Sequence, residues 1–241
     1  MLMSQFRLFL SVALLSVAML SAASPYAAAR EFIPKTWKGV RYQEMVCRPD
    51  TSAPCALVVF LHGRSGSGTD NVTQLNQEGV RAIASYLSEN KVNAKFIVPQ
   101  CPDDFEWVAR RDMPGYLDRV EALVLEKVKD SDIDKTRVYL SGVSMGAVGA
   151  WRFLKDCPDL FAAALIGSGV APGTDPTDYL IVQLYVTVGS EERSLDRLQA
   201  LTAEIDGGGG KVQFDVLQGL GHRQACEAAF TPERIGWLLS Q

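Results

Sequence analysis

Mainly apolar runs of strand length recur along the chain, at 56–61 (ALVVFL), 95–99, 137–140, 161–166, 182–188 and 212–217. Strands covered on both faces read this way, because neither set of alternating side chains meets water. Between the runs, apolar positions fall at helical spacing over 73–88, 116–129, 146–155 and 195–205. A last helical pattern, 232–239, closes the series. Strand and helix patterns therefore alternate. This predicts an α/β domain with a mostly parallel central sheet and helices on both faces. The pattern at 42–47 predicts one further strand, antiparallel, at the N-terminal edge. There is no internal repeat, and Gly207 to Gly210 read as a helix stop. The stretch 168–180 between two expected strands is too short for a large lid. The sizeable connection on the side where the strands end is 101–115, CPDDFEWVARRDMPG.

The first residues follow a different pattern. Arg7 is the only charge in 1–29, the run 8–20 is apolar apart from two serines, and Ala-x-Ala sequences close the segment. A positive start, a short apolar stretch and small residues at the end predict a secretory signal peptide over 1–29. Cleavage is expected after Ala29, with Ala23 as second choice. The apolar stretch is shorter than the roughly 20 residues needed to span a bilayer, so no stable membrane insertion is expected after its removal. Residues 30–241 then form a single exported domain, periplasmic or extracellular. Lys plus Arg number 24 and Asp plus Glu 28, for a net charge of −4. So mild an acidity gives no support to nucleic-acid or anionic-membrane binding.

Five cysteines, Cys47, Cys55, Cys101, Cys157 and Cys226, lie beyond the signal segment. Export permits disulfides. Cys47 and Cys55 flank the turn-rich RPDTSAP and are expected to staple a hairpin. Cys101 and Cys226 are a second candidate pair, which would leave Cys157 unpaired. There is no Cys-x-x-Cys, and His62 and His222 are far apart in sequence. No metal or organic cofactor is expected.

The segment RVYLSGVSMGAVGAW, 137–151, places Ser144 between Gly142 and Gly146 where a strand gives way to a helix. So sharp a turn strains the serine backbone and lifts its hydroxyl above the sheet, at a helix N-terminus. A hydroxyl is a poor nucleophile without a base. His222, in LGH after the last expected strand, fits that role by order and position. An acid must hold the other ring nitrogen. The loop after the strand 182–188 reads GSEER, and Glu192 is favoured there, with Glu191 close behind. Asp175 and Asp178 are lesser alternatives. His62 opens the glycine-rich HGRSGSG, which reads as an oxyanion loop, with His62 ordering it. The backbone N–H groups of Arg64 and Met145 are the expected donors. The same glycines lack the Gly-Lys-Ser/Thr ending of a phosphate cradle. On the connection 101–115, Trp107 is expected to wall the substrate pocket, with Arg110 and Arg111 as fixed positive charges.

Taken together, VVFLHGRSGSGTDN, VPQCPDDFEW, RVYLSGVSMGAVGAW, CPDLFAAALIGSG and GLGH resemble the bacterial α/β hydrolases grouped as predicted peptidases. That group is close to the dienelactone-hydrolase and phospholipase/carboxylesterase-like esterases. The resemblance runs from about Ala56 to His222. It implies an α/β-hydrolase fold with little or no lid, Ser144 and His222 in a triad, and Arg64 and Met145 as oxyanion donors. It also implies cleavage of small-molecule or polymer-borne carboxylic esters through an acyl-enzyme, without a cofactor. A serine peptidase of the same fold and a non-catalytic binding protein are the rival readings. Two positions depart from the family pattern. Glu192 stands where an aspartate is usual, and Arg64 replaces a small residue.

Overall fold

The computed structural model of the chain describes residues 32–48 and 50–241. The expected signal segment, 1–29, lies outside the described residues. The strands are β1 (Phe32–Trp37), β2 (Val40–Cys47), β3 (Cys55–Leu61), β4 (Ala94–Pro99), β5 (Ile133–Val143), β6 (Ala163–Gly167), β7 (Gln183–Gly189) and β8 (Lys211–Leu217). They form one sheet in the order β1-β2-β4-β3-β5-β6-β7-β8. Strands β3 to β8 run parallel, while β1 and β2 form an antiparallel hairpin added beyond β4. The helices are α1 (Glu78–Glu89), α2 (Leu117–Lys127), α3 (Met145–Asp156), α4 (Leu195–Gly207), α5 (His222–Ala228) and α6 (Pro232–Leu239). No helix among the described residues is long and apolar enough to cross a membrane.

The apolar run of β3 has a direct structural cause. Along β3, Ala56, Val58 and Phe60 enter the core beneath α1 and α6, and Leu57, Val59 and Leu61 enter the core beneath α2, α3 and α4. Every residue of the strand is buried. Each fully buried Leu, Val or Phe contributes about 1.5–3 kcal/mol of transfer free energy. Local signals agree with this packing. Thr231 accepts a hydrogen bond from the Arg234 N–H and Pro232 follows at once, so α6 starts where its cap and its fixed φ allow.

The N-terminal edge differs from the expected one. The strand at 42–47 is present as part of β2, but β1 lies outside it and forms the edge. Lys38 (φ 43°) and Gly39 (φ 84°) make the two-residue turn between them. Two successive positive φ values suit the right-handed twist of a hairpin. Pro34 interrupts the strand pattern in sequence, and an edge strand tolerates it because one side of its backbone has no ladder partner.

The same topology overturns the Cys47–Cys55 staple. Cys47 ends β2 and Cys55 begins β3, but β4 lies between those strands, with Ala94 opposite Cys47 and Ala56 opposite Ala94. Two strand spacings are about 9.6 Å, beyond the reach of a disulfide. The Cys47 sulfur instead lies 3.4 Å from the Leu87 carbonyl oxygen. The pair Cys101–Cys226 fails for a related reason. Cys101 is buried in the core on the α2–α4 face, and Cys226 packs against the core on the other face.

Candidate active site

From β3 the chain crosses to β4 on one side through α1, and then to β5 on the other side through α2. The carboxyl ends of β3 and β5 thus flank a point where the winding reverses, and open α/β sheets form their ligand crevices there. Gly63 follows β3 and Ser144 follows β5. A Cβ built on Gly63 would sit 3.5 Å from that of Ser144.

The turn at Ser144 is strained, with φ 55° and ψ −116°. Such a conformation costs a side-chain-bearing residue on the order of 1–3 kcal/mol. The flanking glycines permit it. A Cβ on Gly146 would lie 1.8 Å from the Leu61 carbonyl oxygen, and one on Gly142 would lie 2.5 Å from that of Gly146. The helix α3 begins at Met145, so the Met145 N–H has no intrahelical acceptor. It stands at the start of α3, next in the chain to Ser144, where the helix presents its positive dipole end.

The Ser144 hydroxyl oxygen and His222 Nε2 share a hydrogen bond of 2.8 Å. His222 Nδ1 lies 2.6 Å from Glu192 Oε2. Glu192 is held in turn. Its Oε1 accepts from the Ser168 hydroxyl at 2.7 Å and from the Gly189 N–H at 2.9 Å. Burial raises its pKa, but the bonds from His222, Gly189 and Ser168 together hold it below the ordinary carboxylate range. Glu191, by contrast, is exposed. Asp175 caps the turn at Thr177 and Asp178 pairs with Lys155, so neither approaches His222. His222 opens α5, an element absent from the sequence expectation. Its ring is 53% exposed, whereas the Glu192 side chain is 3% exposed. The Cys226 sulfur, one helical turn on, stands 4.0 Å from Nε2. That sulfur and the Glu192 carboxylate both favour the protonated ring and hold the His222 pKa above its usual value.

His62 is buried, with both nitrogens occupied. Nε2 accepts from the Cys101 N–H at 2.9 Å, so Nδ1 carries the proton it shares with the Gly63 carbonyl at 2.8 Å. Burial lowers its pKa to about 4. It is therefore a neutral brace for the loop. Arg64 lies in the short 3-10 turn that follows, and its side chain reaches the 101–115 segment. It pairs with Glu106 and donates to the Phe105 carbonyl at 3.0 Å.

Trp107 corrects the expected pocket wall. It is 0% exposed, its Nε1 donates to the His62 carbonyl at 2.8 Å, and its ring lies 4.9 Å from that of His62. Its place is in the core beneath the loop. A cavity of about 880 Å³ does open beside Ser144 and His222, and its wall from this segment is Glu106, Val108, Ala109 and Arg110. Opposite stand Ser168 to Pro172 and Arg197. Trp107→Ala is expected to cost about 3–5 kcal/mol, with equal losses on bulky and small esters. Thermal unfolding checks this. A selective loss on the bulky ester at an unchanged melting temperature would restore Trp107 as a wall.

No protein-family model matches the sequence, and no curated relative matches it. Solved structures do match. A thermostable esterase shares 24% identity at a TM-score of 0.78, over 88% of this chain and 63% of its own length. A ferulic acid esterase shares 17% at 0.66, over 87% and 97%. Serine hydrolase F of Staphylococcus aureus, which binds fluorophosphonate, shares 17% at 0.64, over 87% and 98%. The fold is that of the α/β hydrolases. The chain spans less than two thirds of the length of the thermostable esterase.

Ser168 and Cys226 were missed by sequence reasoning. Ser168 sits in Gly-Ser-Gly at the end of β6 with φ 57°. A small polar residue between glycines at a strand end was the available signal. Cys226 carried a helical i, i+4 relation to His222, visible only once α5 is known.

Proposed function

We propose that the protein is an exported serine hydrolase that cleaves carboxylic esters. The observation that carries this reading is the unbroken chain from the strained Ser144 hydroxyl through His222 to the buried, multiply held Glu192. His222 Nε2 takes the hydroxyl proton as Ser144 attacks the acyl carbon. The Met145 N–H and the Arg64 N–H, at the starts of a helix and a 3-10 turn, stabilise the oxyanion. His222 then gives its proton to the departing alcohol, and Glu192 stabilises the imidazolium meanwhile. Water, deprotonated by the same nitrogen, resolves the acyl-enzyme. The esterase and serine-hydrolase neighbours support this reading, as does a cavity that opens beside Ser144. The pattern of 1–29 supports export, and the N-terminal mass of the secreted protein tests it. A fluorophosphonate probe tests the chemistry. Adduct on Ser144 in the parent, absent after Ser144→Ala, supports it. No adduct would leave a binding protein with a hydrolase fold.

The pH dependence follows from the same geometry. The base must be neutral, so activity is lost as pH falls through the His222 pKa. That pKa is raised, so the acid limb of kcat/KM should lie above the usual histidine range. Cys226→Ala removes one of the groups that favour the imidazolium. The limb is expected to move to lower pH, while Glu192 still orients the ring. A limb that stays put or moves up would remove Cys226 from this role.

A further inference from the structure

The cavity beside Ser144 carries an excess of positive charge in a chain whose net charge is −4. Three arginines line it, Arg64, Arg110 and Arg197, and only one acidic residue, Glu106, lines it with them. Glu106 is consumed by Arg64, which also anchors the 101–115 segment. Arg197, in the first turn of α4, reaches across to the Ala171 carbonyl and has no carboxylate partner among the described residues. Arg110 has neither a carboxylate nor a hydrogen-bond partner for its guanidinium among the described residues. Its backbone is nonetheless fixed. Arg110 and Met113 exchange two N–H···O bonds of 3.0 Å, closing a tight turn in which Arg111 takes φ 53°. The side chain is thus presented from a defined turn at the cavity rim. Between the two arms the lining is apolar, with Val108, Val148 and Val170 among its residues.

From this we infer that the enzyme is selective for esters that carry a second, anionic group. On this assignment, which rests on the serine-hydrolase reading, the apolar floor holds the carbon skeleton. Arg110, with Arg197 opposite, takes a carboxylate at the far end of the alcohol or of the acyl chain. A guanidinium suits that task because its planar donors match a carboxylate in pairs. Partial enclosure by the cavity walls reduces screening relative to open surface.

Matched esters test the assignment. 4-Acetoxybenzoate and 4-acetoxybenzamide differ only in charge at the far end of the alcohol. Phenyl hydrogen suberate and its terminal amide, phenyl 7-carbamoylheptanoate, place the same contrast at the end of the acyl chain. In the parent, kcat/KM is expected to favour the anionic member of one pair by roughly tenfold. Arg110→Gln/Arg197→Gln should bring that ratio close to one, and added salt should move it the same way. A ratio at or below one for both pairs in the parent would overturn the assignment, as would a ratio that the double substitution leaves unmoved.

The Ser144→Ala variant separates this question from catalysis. Calorimetry reads binding of the same four esters to that variant, with and without the two arginine substitutions. Anion preference that disappears with the arginines supports the site even if the parent fails to turn over. Binding without anion preference overturns it even if turnover is fast.

Discussion

Ser144→Ala should lower kcat for 4-nitrophenyl acetate by on the order of 10⁵–10⁶ while the protein stays folded. The magnitude is that of removing the nucleophile from a triad acting as a unit, where residual rate comes from oxyanion binding alone. The fold should survive because the hydroxyl is not a packing group. Its one bond reaches His222 across an open cavity, and the backbone of the turn is held elsewhere. The Ser144 N–H donates to the Gly167 carbonyl at 3.0 Å, and its carbonyl accepts from Val148 at 3.2 Å. Alanine inherits the strain at φ 55°, since it too carries a Cβ. Ser144→Gly relieves it. The glycine variant should therefore be as inactive as the alanine variant yet more stable, by on the order of 1 kcal/mol. Thermal unfolding of the three proteins reads this ordering. Activity within tenfold of the parent in Ser144→Ala would remove Ser144 from the mechanism. An alanine variant more stable than the glycine one would remove strain from the account of the turn.

Much of the sheet was legible because its cause is simple. A strand with both faces buried has no polar alternation to hide it, so β3 through β7 stood out as runs, whereas β8 carries no fully buried residue. Their neighbours in space were less legible. A staple between Cys47 and Cys55 assumed that strands adjacent in sequence are adjacent in the sheet, whereas β4 inserts between β2 and β3. Proximity across the sheet is decided by crossover direction, which no local pattern records. The edge strand β1 was hidden by Pro34 and by a face that is mostly exposed.

At the site, positions were more legible than orientations. The glycines around Ser144 and the His-Gly after β3 announced themselves, because close backbone approach excludes other residues. Trp107 did not. An aromatic on a connection at the sheet's active end reads equally as a pocket wall or as an anchor. Its direction is set by the His62 carbonyl, 45 residues earlier, which no window around Trp107 contains. Ser168 is similar, as its partner Glu192 lies on the next strand's loop.

Glu192→Gln should cost on the order of 10⁴ in kcat, far more than Glu191→Gln. The two residues are adjacent in sequence and differ in direction. Glu191 is exposed, and its loss leaves the hydrogen bonds around His222 in place, so a loss of no more than about twofold is expected, as for an ordinary surface change. At Glu192 the substitution keeps size and removes charge. The glutamine oxygen is claimed by the Ser168 hydroxyl and the Gly189 N–H, which both donate to Oε1 in the parent. Its NH₂ group is then turned to His222 Nδ1, where the carboxylate used to accept. A donor cannot face a donor, so Nδ1 must give up its hydrogen and the ring takes the other tautomer. Nε2 then carries the proton and presents N–H to Ser144 where a base is needed. The same change removes the charge that stabilised the imidazolium, so the acid limb of the residual activity should fall to lower pH. A stability signature accompanies it. The Glu192 pKa is lowered in the folded state, so its contribution is present at neutral pH and is lost as pH falls through and below the ordinary carboxylate range. The melting-temperature gap between parent and Glu192→Gln should therefore narrow in acid. If Glu191→Gln proves the more damaging change, or if Glu192→Gln keeps more than about a tenth of parental kcat, the carboxylate that orients His222 lies elsewhere.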